Sequence, residues 1–186
     1  MDNYEVFIPQ WDVEVFPGQP AITLNGTLEE VRSELNRLNP NWDSAYVQGA
    51  FSSPDTSGPN TDDNALGKRT DFYNAHVICG GGSHGWRSAR YSAIMKGIDY
   101  LRGVPGRPGN SAGPGSCGRV SCSYDSAIWW CNDDRAPKLL NSFGSIADGA
   151  NYIVGSCTRT PGQFGYVVGQ VFHHTNWNVI VREDSC

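Results

Sequence analysis

The placement of the cysteines constrains this chain more than any other feature of its sequence. All six follow residue 78 of a 186-residue chain, and they lack the Cys-x-x-Cys or Cys/His clusters that zinc sites use. Cysteines in this pattern are typical of disulfides formed in an oxidising compartment, although the sequence leaves their pairing open. We therefore predict three disulfides, and we expect the terminal cysteine to tie down the last strand. The six residues are Cys79, Cys117, Cys122, Cys131, Cys157 and Cys186.

The distribution of charge also divides the chain into two unlike parts. Residues 1–69 carry 11 acidic and 4 basic side chains, whereas residues 70–186 carry 8 acidic and 10 basic ones. Residues 52–67 are polar and rich in Pro, Gly and Ser, and Lys68-Arg69 follows directly. Because proteolysis concentrates in exposed linkers, we interpret this dibasic pair as a kexin-type processing site. The predicted organisation is a pro-domain at 1–51, a linker at 52–69 and a mature cysteine-rich domain at 70–186.

The predicted pro-domain resembles a small β-β-α unit in its sequence pattern. Apolar residues alternate along 11–15 with the period of a strand, and residues 21–24 form a second strand candidate. Thr27 and Glu30 match a capping box for a helix that Asn39-Pro40 ends. The core of such a unit holds about a dozen apolar residues, which is small for independent folding.

The predicted mature domain has the element order β-α-β-β-α-β-β. Its first helix is expected to be capped by Ser88, and its second to begin at a capping box formed by Ser145 and Asp148. This order favours an α+β fold, with a mainly antiparallel sheet covered on one face by two helices and stapled by disulfides. The strand candidates lie at 76–79, 120–124, 127–131, 167–172 and 177–181.

Three segments carry a resemblance to known proteins. These are residues 117–133 (CGRVSCSYDSAIWWCND), 145–150 (SIADGA) and 176–186 (NWNVIVREDSC). They resemble fungal small secreted cysteine-rich proteins made with a kexin-processed pro-segment, over roughly residues 76–186. The element order resembles, more loosely, the α/β-sandwich killer toxins and the related necrosis-inducing effector family. The resemblance implies secretion, processing and action on a host or competing microbe, and it carries over no catalytic residue.

Tryptophans supply one candidate binding surface. Trp129 and Trp130 are adjacent on a predicted strand, so one ring should face the helices and the other should face away. The outward ring, together with Trp177, could form a platform for a sugar or a partner protein, unless the pro-domain or loops cover that face. This surface favours a carbohydrate-binding or cell-wall module as one alternative function.

Histidines supply the candidate chemistry. His173 and His174, at a strand end, could bind a metal or act as acid and base with Glu183 or Asp184, and the second role would suit a small secreted hydrolase. Adjacent strand residues point to opposite faces, so a turn is needed to bring both rings to one site. Ser83-His84 lacks the Gly-x-Ser-x-Gly spacing of a nucleophile elbow. We assign no catalytic residue, no metal and no cofactor from the sequence.

The main prediction is a secreted toxin-like or effector-like proprotein, activated by cleavage after Arg69. Its partners are expected to be its own residues 1–69 and a target on a host or competitor cell. The acidic balance argues against nucleic acid, and no apolar run reaches the roughly 18 residues of a membrane span. The chain opens Met-Asp-Asn-Tyr without a signal peptide, so Met1 is expected to replace a removed leader. Asn25, in the sequon Asn25-Gly26-Thr27, is a candidate glycosylation site.

Overall fold

The computed structural model describes residues 5–47, 70–158 and 165–186. The predicted linker and the dibasic pair Lys68-Arg69 lie outside these residues. The described chain is an α+β fold with a mainly antiparallel sheet and three disulfides, as the sequence predicts at this level. No helix among the described residues is long and apolar enough to cross a membrane.

Strands and helices alternate irregularly along the chain. The strands are β1 (Glu5–Phe7), β2 (Gln10–Val13), β3 (Ile22–Asn25), β4 (His76–Cys79), β5 (Ala89–Arg90), β6 (Gly109–Asn110), β7 (Ser116–Ser123), β8 (Ser126–Asn132), β9 (Lys138–Leu139), β10 (Tyr166–Val167), β11 (Gly169–His173) and β12 (Trp177–Glu183). The α-helices are α1 (Leu28–Leu38), α2 (Tyr91–Gly103) and α3 (Phe143–Cys157).

A six-stranded sheet in the order β1-β7-β8-β12-β11-β4 organises the fold. Its neighbours pair antiparallel except β1, which pairs parallel with β7 at one edge. Tyr124 and Asp125 connect β7 to β8 with φ values of 50° and 53°. Two successive left-handed residues match the twist of a tight hairpin, which fixes the register of these two strands.

The two faces of the sheet bury different residues. Ile128 and Trp130 of β8 belong to the large core that α2 and α3 cover, whereas Ala127 and Trp129 belong to a smaller cluster on the opposite face. This alternation follows from the two-residue period of a strand. Gly149 lets α3 approach the sheet closely, since a Cβ there would lie 2.7 Å from Val179 Cγ2.

The predicted β-β-α elements form close to their predicted positions, whereas β1 has no counterpart in the sequence analysis. Trp11 and Val13 are buried on β2, which pairs with β3. The capping box is complete: the Glu30 carboxylate accepts the Thr27 backbone N–H at 2.7 Å, and Glu30 N–H donates to Thr27 Oγ1. The helix ends at the Asn39 cap, because Pro40 cannot continue it.

Two of the predicted helix starts are wrong. Ser88 does not cap α2, because residues 89–90 pair with 166–167 as β5 and β10, and α2 begins only at Tyr91. Ser145 and Asp148 do not form the predicted capping box, because α3 already begins at Phe143. Asp148 instead accepts the Thr70 backbone N–H at 2.7 Å. For Ser88 a long-range strand pairing displaced the local signal, whereas α3 begins two residues before Ser145, at a cap on Ser142.

Candidate functional site

The cysteine-free residues 5–47 lie against the described residues of the cysteine-rich part, and we call this contact the intersegment surface. At one end of it, β1 extends the sheet with Glu5 opposite Ser116 and Phe7 opposite Gly118. The Phe7 ring occupies the space that a side chain at Gly118 would need, with Phe7 Cε1 2.7 Å from an added Cβ. Glycine at this position therefore creates a slot for an aromatic ring.

An aromatic stack forms the middle of the intersegment surface. Trp11 and Phe143 have ring centroids 4.1 Å apart and planes inclined by 6°. Trp11 is 1% exposed, and its indole N–H donates to the Gly26 carbonyl at 2.8 Å. The residues around this stack form one continuous buried cluster with the core under α2 and α3. The two parts of the chain thus bury apolar surface against each other, which is the dominant favourable contribution to such a contact.

A carboxylate clamp lies at the far end of β7. Glu29, in the first turn of α1, accepts the Ser121 hydroxyl at 2.6 Å and the Cys122 backbone N–H at 2.9 Å. The clamp adjoins an irregularity in the β7–β8 ladder between Arg119 and Ser121. Each carboxylate oxygen therefore meets one donor of the cysteine-rich part, an arrangement that charge-assisted hydrogen bonds favour.

A cation on α1 completes the surface. The Arg32 guanidinium lies 4.4 Å from the centre of the Tyr100 ring on α2. It also donates two hydrogen bonds of 2.8 Å to Asp43. These bonds raise the pKa of Arg32 and hold the pKa of the Asp43 carboxyl below its usual range. The bidentate pair fixes the guanidinium plane over the ring, where cation–π attraction adds to the contact.

The disulfides staple only the cysteine-rich part. Cys79 bonds to Cys157, Cys117 to Cys131, and Cys122 to Cys186, so no thiol is free and the C-terminus is tied to β7 as predicted. All six cysteines lie beyond residue 78, so no disulfide reaches residues 1–69. Across the intersegment surface, every described contact is therefore non-covalent.

The tryptophans do not form the predicted exposed platform. Trp129, Trp130 and Trp177 are only 5%, 1% and 2% exposed. The two adjacent rings do point to opposite faces of the sheet, but the face away from the helices is covered as well. This correction removes the surface on which the carbohydrate-binding alternative depends.

Arginines and the C-terminal tail cover the Trp129 ring. The guanidinium of Arg119 lies 5.9 Å from a Trp129 ring centre and that of Arg182 lies 5.3 Å from it. Asp184 bridges both arginines at 3.1 and 3.3 Å. Cys186 then holds the tail through its disulfide. No local sequence pattern indicates this cover, because the three polar residues come from different strands and the tail.

The two histidines come together at the β11–β12 turn. The rings of His173 and His174 have centroids 4.1 Å apart, because His174 has already left the strand. The Trp177 indole N–H donates to Thr175 Oγ1 at 2.9 Å, and this hydroxyl lies 2.8 Å from His173 Nδ1. The Thr175 backbone N–H also donates to Nδ1 at 3.3 Å, so the proton of the neutral ring belongs on Nε2.

The environment of His173 favours its neutral form. Burial lowers its pKa below the ordinary 6.5, and the charge of His174 lowers it further, whereas a hydrogen bond to the Asp71 backbone opposes the shift. Phe72 packs edge-on against the ring at 5.1 Å between centroids. With its proton on Nε2, the ring could accept a proton only at Nδ1, so action as a general base requires that the hydrogen bond from the Thr175 backbone breaks.

The acids predicted to serve these histidines lie elsewhere. His173 is opposite Trp177 at the start of β12, whereas Glu183 ends that strand, about 20 Å away at the usual rise per residue. Glu183 instead pairs with Arg87 at 2.9 Å, and Asp184 with Arg119 at 3.1 Å. The predicted combination of histidine with either acid is therefore wrong.

Two other groups of polar side chains have structural partners. Asp134 pairs with Lys138 at 3.3 Å, and Asp133 accepts the buried Asn178 amide at 2.7 Å, so this pair behaves as a polar turn. His84 stacks on Trp86 with centroids 4.6 Å apart. Within the described ranges, no group of three or more His, Cys, Asp or Glu side chains could hold a metal ion.

The structure does not test the predicted processing site or the predicted glycosylation site. Lys68 and Arg69 lie outside the described residues. Asn25 is exposed at the end of β3, while the sequon hydroxyl on Thr27 belongs to the capping box. Comparison with known proteins finds no matching family model, no matching curated protein and no matching solved structure. The function must therefore be argued from the geometry of the chain itself.

Proposed function

We propose that this chain is a secreted proprotein, cut after Arg69, whose cysteine-rich part then binds a target on a host or competing cell. The observation that carries the proposal is the intersegment surface. All its described contacts are non-covalent, while three disulfides hold the cysteine-rich part together. A single cut between residues 47 and 70 would leave the N-terminal segment attached only by contacts that can dissociate.

The position of the N-terminal segment supports a shielding role. It covers the β7 edge of the sheet, the Phe143 ring and the donors at Ser121 and Cys122. Exposed strand edges and apolar rings are surfaces through which proteins bind partners. In this proposal, cleavage turns an occupied binding surface into a free one.

The opposite net charges of the two pieces make their separation after cleavage dependent on salt concentration. The N-terminal 69 residues have a net charge of −7 and the remainder a net charge of +2. Opposite charges favour association at low ionic strength, and salt screens this attraction. Release after cleavage is therefore expected to be faster at high salt.

The proposal is tested by treating the purified chain with a kexin-type protease. Size-exclusion chromatography at low and high salt then follows the release of the N-terminal segment, and a cell-killing or necrosis assay is run on each fraction. The matched control is the Lys68→Ala/Arg69→Ala variant, which should stay uncut and inactive. Activity that appears only in the cut, separated fraction supports the proposal, and equal activity in cut and uncut protein contradicts it.

A small hydrolase is the second candidate, and one observation favours it. His173 and His174 lie in ring contact, and the environment of His173 holds it neutral. Replacing each histidine with glutamine separately tests this candidate. A hydrolase should lose its activity while keeping its circular dichroism spectrum, whereas a binding protein should keep its cell activity in both variants.

A further inference from the structure

We infer that the Ser121 hydroxyl and the Cys122 backbone N–H form a carboxylate-binding site. Glu29 fills this site in the uncut chain, and an acidic side chain of a protein partner fills it once the N-terminal segment has left. The first half of this inference stands on the geometry alone. The second half rests on the proposed cleavage, so the two halves are tested separately.

The strand edge explains why a ligand is needed here. β1 pairs with β7 only from Ser116 to Gly118, so Cys122 has no strand partner on that side. Its N–H points away from β8 and would lack an acceptor if Glu29 were absent. A buried backbone donor without a partner is costly, and the Ser121 side chain beside it is in a residue only 3% exposed. The site therefore favours an occupied state.

The donor set selects a carboxylate. The site presents one hydroxyl and one amide hydrogen, and Glu29 uses a separate oxygen for each, at 2.6 and 2.9 Å. An ionised carboxylate accepts hydrogen bonds at both oxygens and donates none, so it matches both groups at once. An amide side chain has one neutral acceptor oxygen, so it could accept from only one of the two groups and without the assistance of a charge.

The surroundings select a polypeptide as the source of that carboxylate. The β7 edge from Ser116 to Gly118 takes a parallel strand, and the slot at Gly118 takes an aromatic ring. The Tyr100 face accepts a guanidinium. A free organic acid satisfies only the donor pair, whereas an acidic protein segment with an aromatic strand satisfies the whole surface. This is the β-strand addition by which many domains bind peptides.

The first test uses the uncut chain and is independent of cleavage. Glu29→Ala should speed hydrogen exchange at the Cys122 amide by about tenfold or more, because a charge-assisted hydrogen bond is lost. Propionate should reverse the change and restore the amide chemical shift, whereas sodium chloride at the same ionic strength should not. Glu34→Ala is the matched control, since Glu34 pairs with Arg37 on the same helix.

Two further variants keep this test decisive. Ser121→Ala combined with Glu29→Ala should abolish the response to propionate. If Glu29→Ala does not fold, Glu29→Gln replaces it in the test, because it keeps the shape of the side chain. Hydrogen exchange should then be faster at the Cys122 amide and unchanged at other amides. A folded Glu29→Ala protein that ignores propionate, or responds equally to chloride, overturns the carboxylate site.

The second test uses the cut complex. The N-terminal fragment of residues 1–69 released from the cut chain should displace the bound segment at least about tenfold better than the same fragment with Glu29→Gln, since the neutral amide loses the charge that assists both hydrogen bonds. Glucuronate and a polyglutamate peptide without aromatic residues should both compete weakly. Strong competition by glucuronate overturns the choice of a polypeptide. A chain that resists the protease contradicts the proposed function, and leaves the rescue experiment on Glu29 fully informative.

Discussion

The carboxylate of Glu29 is hydrogen-bonded to the backbone of Cys122, whose sulfur is bonded to Cys186. The cysteine-free segment and the C-terminus are thus both fastened to one residue of β7. The side chain of Cys122 holds the tail over the outer face of the sheet, and its backbone holds α1 at the edge. A substitution that distorts β7 at Cys122 should therefore loosen both the N-terminal segment and the C-terminal tail.

Removal of the Cys122–Cys186 bridge should uncover the Trp129 ring. The paired variant Cys122→Ser/Cys186→Ser removes a cross-link between residues 64 apart, and should cost about 4 kcal/mol of unfolding free energy in the loop-entropy account. Its tail should then leave Trp129 open to acrylamide quenching, measured as the difference from Trp129→Phe in the same background. The control variant Cys117→Ser/Cys131→Ser removes a disulfide between residues 14 positions apart. It should lower the unfolding free energy by about 3 kcal/mol. Quenching that stays unchanged in the first variant contradicts the proposed cover.

Truncation of Trp11 should weaken the whole chain and the contact between its two parts. Trp11→Ala removes the stack on Phe143 and leaves a cavity, so urea denaturation should show a loss of about 3–5 kcal/mol. Phe16→Ala is the matched control, because Phe16 is 43% exposed and should change stability by less than about 0.5 kcal/mol. Similar losses in the two variants would show that the stack contributes little.

Two glycines of α3 should respond to alanine with opposite signs. At Gly149 a Cβ would meet Val179 Cγ2 at 2.7 Å and Phe72 Cζ at 3.0 Å, so overpacking of about 1–3 kcal/mol should exceed the gain in helix propensity. At Gly155 nothing lies within 4 Å, so alanine should stabilise the helix by about 0.5–1 kcal/mol. Thermal unfolding of both variants measures the difference. A stabilised Gly149→Ala protein would mean that α3 can move away from the sheet.

His173 should make the chain less stable as the pH falls through 6.5. Its pKa is lowered in the folded chain, so between that value and 6.5 the unfolded chain binds more protons, and protonation favours unfolding. The groups that act on the ring are His174, Asp71 and Lys138, and only the contacts of Asp71 raise its pKa. His173→Gln should flatten the decline in urea midpoint between pH 7.5 and the lowered pKa.

A control separates this effect from other titrations. The control variant His76→Gln removes an exposed imidazole from β4. The hydrogen bonds from Arg32 and Lys138 hold the pKa values of the Asp43 and Asp134 carboxyls below their usual range, away from the window. A decline that persists in His173→Gln would assign it to other groups.

Local sequence patterns anticipated many of the elements but not their partners. The alternation around Trp11 and the capping box at Thr27 each predict an element within a few residues, because both depend on neighbours along the chain. The short strand β1 was missed, since three residues carry too little periodicity. Its pairing with β7 joins residues more than 100 positions apart. Ser88 is not the helix cap that the sequence predicts, because Ala89 and Arg90, which follow it, pair with the distant strand β10.

The candidate site was less predictable than the fold. Glu29 looked like an ordinary acidic residue in the first turn of a helix, and Ser121 like a polar strand residue. Only their approach across the intersegment surface gives them a shared role. Trp129 looked available on the outer face, yet Arg119, Arg182 and the tail bury it.

The sequence by itself determined the disulfide-stapled α+β class, the cysteine-free acidic segment and the rule that Trp129 and Trp130 face opposite ways. These properties follow from residue identity and from the short periods of strands and helices. Tertiary structure alone decided which cysteines pair, what covers Trp129 and which carboxylate reaches Cys122. Those outcomes depend on contacts between residues far apart in the chain, and such contacts form only when the packed sheet and helices bring their atoms within hydrogen-bonding or van der Waals distance.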